Sequence, residues 1–322
     1  MNFPVFDLHC DNAYALLGDN LKTCGNMRTN DLHFDLSRAM QGGVYAQCFS
    51  CFTSESKNVN KGISPVELFE RQLATIHREL ERNDDLVCQA YTAQEIEKNR
   101  EQGRVSAILT IEGPSGFGYD PELLEDLYRV GFRITTLCWN EENPLTGTHI
   151  TGGGLTDLGR EYVREAQRTG MIIDVSHISD QAFWDIIEIT NGPVIASHSN
   201  SRNVFDVSRN ITDDMFLAIC RTGGVAGLNL YADFVGQNPD ISSACAHVLH
   251  FLSIDPDGTH VALGGDLDGC DRLVDGFAGV QDYQKIAECL QRSGVCDDVI
   301  HNIFWNNALG VISHAVCNNK KH

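Results

Sequence analysis

Short apolar runs recur along the chain, each closing on a polar tip and followed by a stretch of helical period. The runs are 5–9, 44–49, 105–112, 134–139, 171–177, 194–198, 225–230 and 261–266. They are rich in Val, Ile and Leu, and Gly43, Gly103, Gly131, Gly170, Gly192 and Gly224 stand just before six of them. Continuous apolar runs of this length suit strands covered on both faces, as in a parallel sheet. Helix signals lie between them. Ser64-Pro65-Val66-Glu67 reads as a capping box with proline at the first helical position, and Val66, Phe69, Leu73, Ile76 and Leu80 follow as one apolar face. Thr92-Ala93-Gln94-Glu95 opens a second helix and Asp120-Pro121 a third. Leu155, Leu158, Tyr162 and Ala166 mark a fourth that stops at Gly170, and segments 181–190, 212–221, 242–253 and 280–292 supply the rest. Strands alternating with helices predict a closed barrel or a doubly wound sheet. The absence of G-x-G-x-x-G after the first run and the count of eight favour an α/β fold of the (β/α)8 TIM type, one domain over residues 1–322.

Composition narrows the partners. The 322 residues are 42% hydrophobic and 21% charged, an ordinary globular mix. A formal net charge of −20 repels nucleic acid and anionic membranes, so neither is expected as a partner. The N-terminus lacks a basic stretch before an apolar run, and no run of eighteen apolar residues occurs, so a cytoplasmic protein is expected. The twelve cysteines are then reduced thiols, and Cys48-x-x-Cys51 reads as a pair of buried strand residues.

The candidate chemistry sits at the polar tips, where barrel enzymes carry it. The first tip is Asp7-Leu8-His9-Cys10-Asp11; the third closes on Glu112-Gly113, the fifth on Asp174-Val175-Ser176-His177, the sixth on Ser197-His198-Ser199, and the eighth on Gly264-Gly265-Asp266-Leu267-Asp268-Gly269. Alternation along an extended segment places His9 and Asp11 on one face. Singly, each has a bland reading. His177 and His198 pass for hydrogen-bonded core histidines, Glu112 for a cap or ion-pair partner, and Asp266 and Asp268 for turn residues. Together, five tips of eight present a ligand-type residue at the same end of the strands. Imidazole and carboxylate ligands suit zinc, and also manganese, iron or cobalt. Three histidines and three carboxylates exceed one tetrahedral zinc and suit two ions sharing a carboxylate, a role a glutamate can fill.

Six motifs in order carry a family resemblance: FDLHCD, IEG, IDVSHIS, PVIASHSNSRNV, RNITDDM and ALGGDLDG. The chain resembles, over nearly its whole length, the membrane (renal) dipeptidase family, zinc peptidases on an amidohydrolase-like barrel. The resemblance implies that His9 and Asp11 bind a first zinc, that Glu112 bridges, and that His177 and His198 bind a second. It implies that Arg209 holds the terminal carboxylate of a dipeptide and that Tyr231 stands near the substrate; alone, Arg209 reads as a solvated charge and Tyr231 as packing. A hydroxide between the two ions would attack the peptide carbonyl while Asp266 takes the proton to the leaving amine, and Asp268 reads as support or turn. Trp139, followed by Asn140, stands where the better-known animal members carry a histidine; the Trp-Asn pair is similar to many bacterial members. The family further implies a homodimer, and with the chain ending in HAVCNNKKH no lipid anchor like that of the animal members is expected. The alternatives are another amidohydrolase-like metal enzyme, such as a lactonase, deaminase or phosphotriesterase, and a non-catalytic homologue. The former commonly carry H-x-H on the first strand and often a bridging lysine, where this chain has Asp11 and Glu112.

Overall fold

The computed structural model describes residues 2–19, 21 and 26–318, the last five as backbone only; residues 319–322, within the segment read for an anchor tail, lie outside the described residues. Among the described residues nine strands form: β1 Val5–Cys10, β2 Val44–Phe52, β3 Val87–Gln89, β4 Val105–Glu112, β5 Phe132–Thr136, β6 Ile172–Asp174, β7 Val194–Ile195, β8 Ala226–Leu228 and β9 Val261–Leu263. Eight run in the order β7-β6-β5-β4-β2-β1-β9-β8, all pairings parallel. A parallel bridge from Ala196 to Ala226 joins the two ends, so the sheet closes into the expected barrel.

The closed ring is the eight runs read from sequence; β3 is an addition. It pairs with Val105, Ser106 and Ala107 at the start of β4, below the stretch Leu109, Thr110 and Ile111 that takes β5. Three residues beside Asp84 and Asp85 are too short and polar a stretch to register as an apolar run. Several runs also extend past their strands. β6, β7 and β9 stop before His177, His198 and Asp266, which sit in the loops beyond.

Helices wrap the ring, and side-chain caps set their starts, at Ser64 and Thr92 as the sequence suggests. Ser64 accepts from the Glu67 N–H, Thr92 from Glu95, Thr156 from Gly159 and Thr212 from Met215. The face of Pro65–Arg82 is rotated from the expected one: Leu68, Gln72 and Glu79 are buried, while Val66 is 48% exposed.

Two apolar layers hold the barrel. Phe6, Leu8, Ala46, Cys48, Ile108, Ile134, Ile172, Ile195 and Ala262 point inward and meet Trp305, Ala308, Val311 and Ile312 from the C-terminal segment. Trp305 packs on Phe6 with ring centroids 5.9 Å apart, and its indole N–H donates to Glu97 Oε1 at 2.9 Å. The opposite strand faces pack under the helices. The barrel is therefore filled with side chains at one end, which leaves the polar tips at the other for chemistry. No described helix is long and apolar enough to cross a membrane.

Candidate metal centre

The ligand-type residues reach one place by different routes. Period-two alternation from Ile108 through Thr110 brings Glu112, the last residue of β4, to the inner face. Between Asp7 and Cys10 the pairing of β1 with β2 slips by one residue, so Leu8 stays in the interior layer while His9 turns to the cluster at the mouth. Such irregularities re-aim side chains. His177, Asp266 and Asp268 take left-handed backbone at φ 72°, 57° and 65°, three of the six non-glycine residues described with positive φ. Left-handed backbone is uncommon outside glycine, though Asp and His adopt it more readily than most, and here all three lie at the mouth.

The resulting distances are short. His9 Nε2 lies 3.3 Å from Asp11 Oδ2 and 3.3 Å from Glu112 Oε2. Glu112 Oε1 lies 2.8 Å from His177 Nε2 and 3.9 Å from His198 Nε2. His9, Glu112 and His198 offer atoms within 4.8 Å of one another, and so do His9, Asp11 and Asp266. Sequence counts Asp266 among three ligand-type carboxylates and gives it proton transfer and substrate contact; the geometry sets its carboxylate among the atoms that could hold an ion.

Tautomers decide what this cluster can accept. Ser197 Oγ donates its one proton to Asp174 Oδ2 at 2.5 Å, so at 2.6 Å from His198 Nδ1 it can only accept. Asn140 Oδ1, an acceptor, lies 2.9 Å from His177 Nδ1. Both rings then carry their proton on Nδ1, and their bare Nε2 lone pairs face each other at 3.0 Å beside the Glu112 carboxylate. Electron pairs converging this closely repel unless a cation lies among them. Asp11 Oδ1, buried without a partner, adds to the unmet demand. The donor set thus fits divalent metal ions.

Electrostatics agree. Burial first, then the charges of nearby Arg209 and His9, hold His177 and His198 well below the usual histidine range, in the neutral form a ligand requires. Burial alone would lower His9 too, but the Glu112 and Asp11 carboxylates beside it raise it well above 6.5. Burial pushes Asp11 up to about 6, with the Glu112 charge adding to it, and burial pushes Asp266 up to about 6. A bound cation would draw these carboxylates back to the ionised form.

Beside the cluster opens a cavity of about 410 Å³, lined by Asp11, Glu112, His177, Asp266, Trp139 and Tyr231 among others. Tyr14, Phe52 and Trp139 form one wall, with ring centroids 5.5 and 4.9 Å apart in edge-to-face contacts. Tyr231 packs on Phe234 at 4.8 Å, and its hydroxyl donates to Asp233. Arg209 does not line this cavity; it lies behind His177, 3% exposed, with Nη1 donating to Ser199 Oγ at 2.6 Å. Its Nε and Nη2, one edge of the guanidinium, have no partner. Asp268 is a brace: it accepts from the His33 N–H at 2.6 Å and from Asn12 Nδ2 at 2.8 Å.

Four supporting residues escaped the sequence reading. Asn140 stands beside Trp139 with no role legible in the sequence, and Ser197 and Asp174 appear there only within the tips. Asn229, just past β8, donates from Nδ2 to Asp266 Oδ2 at 3.0 Å and to the His198 carbonyl at 3.0 Å. A buried polar residue at a strand tip was the available signal.

A family model described as membrane dipeptidase (peptidase family M19) matches residues 1–322. Dipeptidase verJ of Clonostachys rogersoniana is 30% identical over 328 residues, covering 96% of this chain and 83% of that protein. An uncharacterized dipeptidase of Schizosaccharomyces pombe, C965.12, is 30% identical over 334 residues, 95% of this chain and 79% of that protein. Among solved structures, a metallopeptidase from Rhodobacter sphaeroides liganded with a phosphinate mimic of L-Ala-D-Ala superposes with a TM-score of 0.89 at 22% identity, over 98% of this chain and all of that one (100%). The probable dipeptidase PvdM of Pseudomonas aeruginosa gives 0.88 at 16% identity, over 99% and 96% of the two chains.

Proposed function

The chain belongs to the membrane dipeptidase family, and from that premise we propose how its site works. It is a metal-dependent dipeptidase. Two divalent ions, zinc in the first instance, would be held by His9, Asp11, Glu112, His177 and His198, with Asp266 close to the first. The observation that carries this reading is the approach of His177 Nε2 and His198 Nε2 to 3.0 Å beside Glu112, a constellation that suits a cation.

Bound there, two such ions would polarise the scissile carbonyl and lower the pKa of a water to about 7. The chain's own groups do the rest. Asn229 occupies Asp266 Oδ2, which leaves Oδ1 to receive the water's proton and hand it to the departing amine. Arg209 stands behind His177 rather than in the cavity wall, and its unpartnered Nε and Nη2 form the edge that would grip the carboxylate of a substrate with a free C-terminus through two parallel bonds. The aromatic wall of Tyr14, Phe52 and Trp139 shields the site from bulk water.

The test couples metal analysis to a dipeptide panel that includes pairs differing only by L or D at the C-terminal residue. Two ions per chain and turnover of dipeptides are expected. Asp266→Asn should lower kcat by about 10²- to 10⁴-fold. Undiminished turnover in that variant would remove Asp266 from proton transfer, and preferential cleavage of lactones or phosphotriesters would overturn the substrate class.

A further inference from the structure

His177 is held by a relay of side chains that leads away from the cluster. Asn140 Oδ1 lies 2.9 Å from His177 Nδ1 and 3.0 Å from His149 Nε2, and His149 Nδ1 lies 2.9 Å from Ser208 Oγ. An amide oxygen only accepts, so each ring must turn an N–H toward it. His149 then has a bare Nδ1, which takes the Ser208 hydroxyl proton. One consistent direction of donation runs from Ser208 through His149 to Asn140, and from His177 to the same oxygen.

The reverse orientation of the amide would have a different result. Its NH₂ group would face both rings, His177 Nδ1 would lose its proton, and Nε2 would carry it. That nitrogen would then point an N–H at Glu112 Oε1, 2.8 Å away, and could not bind an ion. The orientation of one amide therefore selects whether His177 is a ligand.

The backbone is tied to the same purpose. The His149 N–H donates to the His177 carbonyl at 2.9 Å, Thr148 bridges to Ile178, and Thr148 Oγ1 donates to the Asn140 carbonyl at 3.2 Å. The segment around His149 thus straps the turn in which His177 holds its φ of 72°. His198 has a separate device, Ser197 backed by Asp174. Both nitrogens of His149 are committed within the relay, so it does not stand in for an imidazole at the place of Trp139.

We infer that Asn140, braced by His149 and Ser208, is the positioning residue for His177: its amide oxygen holds the imidazole in the tautomer that leaves Nε2 free for a divalent ion. The inference rests on the reading of His177 as a ligand. Partners of this kind, bonded to the far nitrogen of a ligand histidine, typically govern affinity by 10- to 100-fold.

The experiment titrates metal-free protein with zinc against a competing chelating indicator, so that two affinities are resolved, and records the melting temperature of each metal-free variant. Asn140→Ala should weaken one ion by about 10- to 100-fold and leave the other within a few-fold, with little change in melting temperature. Asn140→Asp, which keeps an accepting oxygen, should restore most of the loss, and His149→Ala should fall between. Unchanged affinities in Asn140→Ala overturn the inference, as does an Asn140→Asp variant no better than Asn140→Ala. Should Asn140→Ala fail to fold, Asn140→Asp compared with Asn140→Leu decides by the same criterion. If the unaltered chain binds no zinc at either site, the metal centre itself falls and takes the inference with it.

Discussion

Arg209 is a cation buried to 3% exposure whose guanidinium makes one hydrogen bond to Ser199 and leaves Nε and Nη2 unmet. A buried donor without a partner is costly, and the demand is met when a carboxylate arrives. Lysine offers a point charge in place of the planar edge. Arg209→Lys should therefore lower kcat/KM for dipeptides by roughly 10- to 100-fold, the worth of about 1.5–3 kcal/mol for a charged hydrogen-bonded contact, and hardly change the rate on C-terminally amidated analogues. An equal loss on both substrates would remove Arg209 from carboxylate recognition. His247 shows the same logic applied to stability. Its Nδ1 accepts from the Ser201 N–H at 3.1 Å and its Nε2 donates to the Val235 carbonyl at 2.9 Å, so only the neutral ring fits. Burial lowers its pKa below 6.5. The unfolded chain then binds a proton at a pH where the folded one does not, so this contribution is complete above about pH 6.5 and is lost as pH falls below it. Melting temperature should drop between pH 7 and 5, and His247→Gln, which keeps one acceptor and one donor, should flatten that drop. A slope identical to the parent's would assign the effect to other groups.

The loop after β9 has to bring two carboxylates together without blocking them. A Cβ on Gly269 would strike both Asp11 Oδ2 and Asp266 Oδ1, so only hydrogen fits between the ligand groups. Gly269→Ala should weaken metal binding and cut activity by at least about tenfold, since a misplacement of 1 Å at such a site can cost 10²-fold; normal zinc affinity in that variant would contradict the close approach. This glycine was quoted in a motif, but its reason is spatial and no local pattern discloses it. The same distinction separates what could be read in advance from what could not. The ring strands were legible because burial on both faces writes itself as unbroken Val, Ile and Leu. Helix starts were legible through Ser64, Thr92 and their kin, whose caps are local. β3 was not, being three residues long, and neither was the C-terminal segment with Trp305, whose apolar face only makes sense against the barrel interior. His9, Asp11, Glu112, His177, His198 and Asp266 converge as expected, because strand tips of a barrel meet at one end. Asn140 and Asn229 act on atoms of residues distant in the chain, and Ser197, though next to His198, is oriented by the distant Asp174; spacing along the chain carries no trace of that.

On the scale of the whole molecule, the barrel has unequal ends. One is filled by Phe6, Leu8, Ile108, Ile134, Ile172 and Trp305, a layer whose cohesion is its own. The other converges on groups that repel: neighbouring carboxylates, and imidazoles meeting lone pair to lone pair. Ions at the mouth would act there as a hoop, pulling in β1, β4, β6, β7 and β9 from around the circumference, whereas the plugged end stays shut without help. Removing metal with a chelator should accordingly depress the melting temperature and speed amide exchange around His9, His177 and His198, while amides near Trp305 keep their protection. A rim that slackens on chelation while its base holds firm would make each ion a fastener as well as a reagent.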